Sequence, residues 1–158
     1  PADAYGNIPM GMTNPTGTFG QRPLGADTVF NFFEPDYQLP GPIANAGLFS
    51  PEFQALNEST LTSSSNSYYT YSWSSYVGMP GVLPGRPLLN LAPLVALAAS
   101  PTAMVEEVNR RMMYGSMSIT MRDILRNMLK FMDGASNIDK ARTLVYVTAL
   151  SPEYAVQR

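Results

Sequence analysis

Four acidic side chains in the first 60 residues are the groups best suited to proton transfer. They are Glu34, Asp36, Glu52 and Glu58. Paired carboxyl groups can act as general acid and base, and carboxylate oxygens can also hold Ca²⁺ or Mg²⁺. Their spacing matches no diagnostic metal-binding loop, and Glu52 and Asp36 also suit a helix start and a turn. They are candidates for a hydrolytic site, with ordinary structural roles as the favoured alternative.

Two residue types that usually carry catalysis are missing from the sequence. The 158 residues contain no Cys and no His. This excludes disulfides, thiolate nucleophiles, Ser-His-Asp triads and imidazole or thiolate metal ligands within the chain. We expect neither a metal nor a cofactor, and a hydrolase would need His from a part of the protein outside this sequence.

A cluster of aromatic residues interleaved with serine offers binding chemistry instead. Aromatic rings beside hydroxyl groups can stack on sugar rings or form a protein interface. Tyr69, Trp73 and Tyr76 lie at i, i+4 and i+7, which predicts one buried helical face, although their alternation with Tyr71 also suits a strand. The candidate binding residues are Tyr68, Tyr71 and Trp73.

Charge and hydropathy exclude two further classes of function. The net charge is −2, and the basic face formed by Arg122, Arg126 and Lys130 has no interleaved aromatic residues. We therefore predict no nucleic-acid binding. No apolar run reaches the roughly 18 residues of a membrane-spanning helix, so we also predict no transmembrane segment.

The elements that must position these residues differ between the two parts of the chain. Residues 1–50 are rich in Pro and Gly and contain many aromatic residues, which predicts an irregular, extended arm. Residues 51–158 have helical periodicity and belong to the same single domain. We expect a mainly α fold in which the arm packs on a layer of about five helices. Its aromatic anchors should be largely buried; they are Phe30, Phe32, Phe33 and Tyr37.

Serine residues predict where the helices begin. Ser50-Pro51-Glu52 predicts a helix towards Val77, with a possible break in the Ser- and Thr-rich residues 59–67. A short apolar helix is expected from about Leu91 to Ala99. Four further caps are expected at Ser100, Ser118, Ser136 or Asn137, and Ser151. Methionines on the helical stripes predict core filling, with Met121, Ile124, Leu125, Met128, Leu129 and Met132 facing inward.

Three segments together are similar to one bacterial family. The first is Gly20–Leu24 leading into Val29–Tyr37, the second runs from Pro40 to Ser59, and the third is Ala141–Arg158. On these segments the chain resembles the C-terminal part of the bacterial domain of unknown function 1800 family, from about Gly20 to Arg158. It departs from the family pattern at Thr62–Ser67 and Tyr68–Tyr76.

The resemblance implies a setting for the chain and no reaction. It implies that the chain is a fragment or a processed part of a longer protein, exported to the periplasm or beyond the cell. It also implies a possible companion, the sulfatase-like domain of unknown function 1501 family. We predict a non-catalytic structural or interaction module whose partners are the rest of its parent chain or other protein subunits. The alternatives are a segment of a carboxylate-based hydrolase and a glycan-binding surface.

Overall fold

The structure is a computed structural model that describes residues 15–22, 24–26, 28–29, 32–55, 57–73 and 89–155. These residues are mainly helical and form no β-strand, so the predicted mainly α fold is confirmed for them. Eight α-helices occur in this part of the chain: α1 Pro15–Phe19, α2 Pro42–Asn45, α3 Glu58–Trp73, α4 Ala92–Ala96, α5 Pro101–Met112, α6 Ile119–Phe131, α7 Asn137–Ala149 and α8 Pro152–Ala155. A 3-10 helix, Pro51–Gln54, precedes α3.

The described residues fall into two compact units, residues 15–67 and residues 68–155. In the first unit, Ser50 links a turn to the 3-10 helix. Its N–H donates to the Tyr37 carbonyl at 2.8 Å, and its Oγ accepts from the Leu39 N–H at 2.9 Å. The Phe53 N–H then donates to the Ser50 carbonyl at 3.0 Å. The predicted helix start at Ser50 therefore opens a single 3-10 turn, and the long helix begins later.

The aromatic anchors of the arm are less buried than the sequence predicts. Phe32, Phe33 and Tyr37 are half-buried, while Phe30 lies outside the described residues. Leu48 and Phe49 are exposed in the same unit. The packing of the arm on the helices, and the single domain divided at residue 50, stay predictions.

Helix α3 corrects the predicted break at residues 59–67. Asn57 and Thr60 cap it reciprocally: the Thr60 N–H donates to Asn57 Oδ1 and the Asn57 N–H donates to Thr60 Oγ1, both at 2.9 Å. Inside the helix, Thr62 Oγ1 donates to the Glu58 carbonyl at 2.9 Å. Hydroxyl groups that bond within the preceding turn no longer compete with the helix, so the Ser- and Thr-rich segment stays helical.

The second unit is built around α5, α6 and α7. Helix α5 packs against α6 and α7, α4 packs against α5 and α7, and α8 packs against α7. The buried apolar residues that join them are Leu91, Leu94, Ala98, Met104, Val105, Val108, Met113, Met117, Met121, Leu125, Leu129, Ala141 and Leu144. Fully burying one large apolar side chain stabilises a fold by roughly 1.5–3 kcal/mol, so this cluster holds the helices together.

The predicted serine caps of this unit are confirmed. Ser100 Oγ accepts from the Ala103 N–H at 3.3 Å, Ser118 Oγ from the Met121 N–H at 3.1 Å, and Ser136 Oγ from the Asp139 N–H at 3.2 Å. Each serine satisfies one of the backbone N–H groups that a helix start leaves without a partner. None of the helices in the described ranges is both long enough and apolar enough to cross a membrane.

Candidate functional site

The four carboxylates proposed as catalytic candidates lie in the first unit, and the described ones do not come together in a site. Glu34, Asp36 and Glu58 are exposed, and the side chain of Glu52 lies outside the described part of the structure. The Glu34 backbone N–H donates to Gln54 Oε1. Within the described ranges, no three acidic residues come together in a way that could hold a metal ion. The hydrolytic hypothesis therefore stays a prediction made from residue types.

The aromatic residues at the end of α3 lie in two different environments, an aromatic cluster and an open groove. Tyr69 and Trp73 stack with ring centroids 5.3 Å apart, and Tyr69 meets Tyr146 of α7 edge-on at 5.9 Å. Tyr71 is half-buried, and Tyr76 lies outside the described residues. The helical spacing thus places Tyr69 and Trp73 in one aromatic cluster of the second unit.

Tyr68 faces a different place, an open groove of about 1080 Å³ that we call the tyrosine groove. The groove brings Tyr68 of α3 together with Tyr114 of the α5–α6 loop and Tyr154 of α8. The side chains that complete its lining are Arg111, Met112, Met113, Ser116, Ala149, Glu153 and Ala155. Trp73 and Tyr71, the other predicted binding residues, are not among them.

Sequence reasoning missed Tyr114 and Tyr154 as members of this groove. The one available signal was Gly115, which marks the end of α5 and so places Tyr114 in a turn. Tyr154 follows a Ser-Pro-Glu helix start, and nothing in the surrounding sequence indicates that it lies near Tyr68 and Tyr114. Contacts between α3, the α5–α6 loop and α8 join positions that are far apart in sequence, and no local pattern encodes them.

The α5–α6 loop is held by Asn109, which is 4% exposed. The Asn109 carbonyl accepts from the N–H groups of Met113 at 3.0 Å and Gly115 at 3.1 Å. Its Oδ1 accepts from the Met117 N–H at 3.0 Å. These bonds fix Tyr114 in a left-handed backbone conformation with φ 52°, and the residue is 89% exposed.

The groove also has a defined electrostatic character. Burial raises the pKa of the Tyr68 hydroxyl, and the neighbouring Tyr154 raises it further. Arg111 forms an ion pair with Glu107, and that carboxylate also pairs with Arg110 at 2.8 Å. The groove therefore offers a neutral phenol and the guanidinium of Arg111, which shares the single carboxylate of Glu107 with Arg110.

Glu153 of α8 uses its carboxylate to hold the start of α6. The Ser118 N–H donates to Glu153 Oε2 at 2.9 Å, and Ser118 Oγ donates to Glu153 Oε1 at 2.6 Å. A carboxylate at a helix N-terminus is favoured because the free N–H groups and the helix dipole carry positive charge there. This contact fixes α8, and with it Tyr154, beside the α5–α6 loop.

A second surface lies on α6, where three apolar side chains share one face. Ile124 is 60% exposed and Phe131 is 92% exposed, with the partly buried Met128 between them. Residues at i, i+4 and i+7 are neighbours on a helix, so we call these three the α6 outer stripe. The expectation that Ile124 faces inward is wrong, because Met121, Leu125 and Leu129 at i, i+4 and i+8 occupy the core face.

The basic face of α6 takes part in ion pairs. Glu106 of α5 contacts Arg126 at 3.3 Å and Arg122 at 3.7 Å, and Arg126 also pairs with Asp123 at 3.0 Å. Glu106 joins α5 to α6, Asp123 pairs with Arg126 within α6, and the two carboxylates offset the arginines locally. The prediction that this face binds no nucleic acid stays a prediction.

Searches against protein-family models, characterised proteins and solved structures find no match to this chain. The tyrosine groove and the α6 outer stripe are the two surfaces of the second unit that could bind a partner or ligand. The resemblance to the domain of unknown function 1800 family stays a hypothesis drawn from three sequence segments.

Proposed function

We propose that this chain is a non-catalytic interaction module that binds another protein surface through the α6 outer stripe. The observation that carries the proposal is the exposure of Phe131 and Ile124, at 92% and 60%, on one face of a well-formed helix. Each such side chain would gain roughly 1.5–3 kcal/mol on full burial. A helix with apolar residues at i, i+4 and i+7 is a common element of protein recognition.

The composition supports the same proposal. Only 14% of the residues are charged, against about 25% in an ordinary domain. A surface with few charges is easier to desolvate when a partner covers it, because burying an unpaired charge is costly. The partners proposed are the rest of an exported bacterial parent protein or other subunits of its assembly, with a sulfatase-like companion as a further candidate.

The test compares the size of the protein in extracts of the cells that make it. We expect the wild-type chain or its parent to elute as a larger assembly, and the double variant Ile124→Ser, Phe131→Ser to elute at its own size. The matched control is Thr120→Ser, Asn127→Ser, two exposed polar residues on the same helix. Circular dichroism would show that both variants keep their helix content.

Two results of this size measurement would contradict the proposed function. If the double variant elutes with the same assembly as the wild type and the control, the α6 outer stripe is not the binding surface. A wild-type protein that elutes at its own size at every concentration would also contradict the proposal.

A further inference from the structure

We propose that the tyrosine groove is a binding site for a neutral oligosaccharide. This inference goes beyond the proposed protein-binding function and uses a different surface. It starts from the convergence of Tyr68, Tyr114 and Tyr154, which come from three separate elements and line one open groove.

The chemistry of the groove suits a sugar chain. A tyrosine ring has an apolar face and a polar hydroxyl at its tip. A hexose ring has a matching face of C–H groups and an edge of hydroxyl groups. Arg111 and Ser116 add groups that can exchange hydrogen bonds with those hydroxyls. Three tyrosines beside polar groups therefore complement both the C–H faces and the hydroxyl edges of a chain of sugar rings.

The charges in the groove favour a neutral ligand over an acidic one. The guanidinium of Arg111 is already paired with Glu107. The carboxylate of Glu153 is bonded to Ser118. The hydroxyl of Tyr68 is neutral at physiological pH, as a tyrosine hydroxyl ordinarily is, and its raised pKa does not change this. Among the described residues, the groove lining holds one cation, Arg111, and one anion, Glu153, so their formal charges balance and give an acidic ligand no net attraction.

The size of the groove favours an oligosaccharide over a single sugar. Its volume of about 1080 Å³ slightly exceeds the range of about 300–1,000 Å³ that is usual for small-molecule sites. A peptide cannot bind here by strand addition, because the described residues form no strand whose edge it could extend. Met113, which could anchor an apolar peptide side chain, is only 5% exposed and belongs to the core.

Tyr114 is the residue whose placement points most directly to a ligand. Its φ of 52° is a conformation that L residues other than glycine rarely adopt, and the residue is 89% exposed. The side chain therefore gains little from packing in the free protein. The positive φ belongs to the left-handed cap at the end of α5, so the exposed tyrosine in the groove lining, and not the backbone angle, indicates ligand contact.

The test is calorimetric titration of the whole chain with four soluble neutral hexasaccharides. These are β-1,4-glucan, α-1,4-glucan, β-1,4-mannan and β-1,4-N-acetylglucosamine oligomers. We expect at least one to bind, with affinity reduced about 10-fold or more by Tyr114→Gly and by less than about 3-fold by Tyr114→Phe. Phe131→Ala, which removes an exposed ring from the α6 outer stripe, is the control and should leave binding unchanged.

Three results would overturn the proposal. One is that none of the four saccharides binds at up to about 5 mM. Another is that Tyr114→Gly binds as tightly as the wild type. The third is that a proline-rich peptide binds in a Tyr114-dependent manner while the saccharides do not, which would make the groove a peptide site. None of these results bears on the α6 outer stripe, so the two proposals fail separately.

Discussion

At the scale of single residues, Tyr114 and Glu107 carry the clearest energetic consequences. A left-handed conformation costs an L residue about 1–2 kcal/mol. Tyr114 adopts it at the end of α5, where glycine is usual, and Gly115 follows with φ 85°. Glu107 lies one turn before Arg110 and Arg111 on the same helix and holds both arginines.

We predict that Tyr114→Gly makes the protein more stable. Release of about 1–2 kcal/mol of strain is partly offset by the greater chain entropy of glycine, about 0.5–1 kcal/mol, which leaves a gain of roughly 0.5–1 kcal/mol. Urea unfolding measures it. The matched control is Gly115→Ala, which has open space around it but a positive φ and should destabilise. A loss of stability in Tyr114→Gly would mean that the ring packs in the native state.

We predict an acid-dependent contribution from Glu107. Hydrogen bonds from Arg110 and Arg111 lower its pKa from the ordinary 4.5 to about 2 in the folded protein. A carboxyl group with a depressed pKa stabilises the fold above its unfolded pKa, and the effect is lost as the pH falls through the folded value. The stability difference between wild type and Glu107→Gln should therefore shrink between about pH 4.5 and about pH 2. A difference that stays constant over that window, measured by thermal unfolding, would contradict the assignment.

At the scale of elements, the start of α6 shows how a distant residue completes a local signal. Ser118 caps the helix as its sequence predicts, but its own N–H and hydroxyl both bond Glu153, 35 residues later. Hydrogen bonds to charged groups contribute about 1.5–3 kcal/mol. The two bonds tie α8 to the start of α6 and help to form the wall of the tyrosine groove.

We predict that Glu153→Ala destabilises the protein by about 1.5–3 kcal/mol, since it leaves two donors of Ser118 without their acceptor. Glu153→Gln should cost less, because its amide oxygen can still accept one bond. A double-mutant cycle with Ser118→Ala, followed by chemical unfolding, isolates the coupling between the two side chains. Additive losses in the cycle would show that the contact contributes no coupling energy.

The difference between local patterns and contacts of distant residues explains which features could be predicted from the sequence. Serine caps are local patterns, and the structure has them where the patterns predict. Of the six residues predicted to face inward from α6, Met121, Leu125 and Leu129 are buried, whereas Ile124 is exposed. The break in α3 was predicted wrongly, because the reciprocal cap of Asn57 and Thr60 outweighs the low helix propensity of the segment. The tyrosine groove could not be predicted, since it depends on tertiary contacts between distant turns.

At the scale of the whole molecule, a lightly charged chain exposes large apolar side chains in both of its units. In the first unit they include Leu24, Val29 and Phe49, and in the second Ile124 and Phe131. Exposed apolar side chains that share one surface mark sites of interaction, whereas scattered ones are ordinary. The α6 outer stripe fits the first description, because its members are neighbours on one helix. Burial of this stripe by a partner is the central claim.

In-cell photo-crosslinking tests that claim most directly. A photoreactive amino acid is placed in turn at Phe131, on the stripe, and at Arg110 of α5, whose side chain is 66% exposed. Both variants are illuminated in the cells that make the protein. The predicted result is a discrete protein adduct from position 131 and none above background from position 110. Equal yields at the two positions, or no adduct at position 131, would contradict the claim.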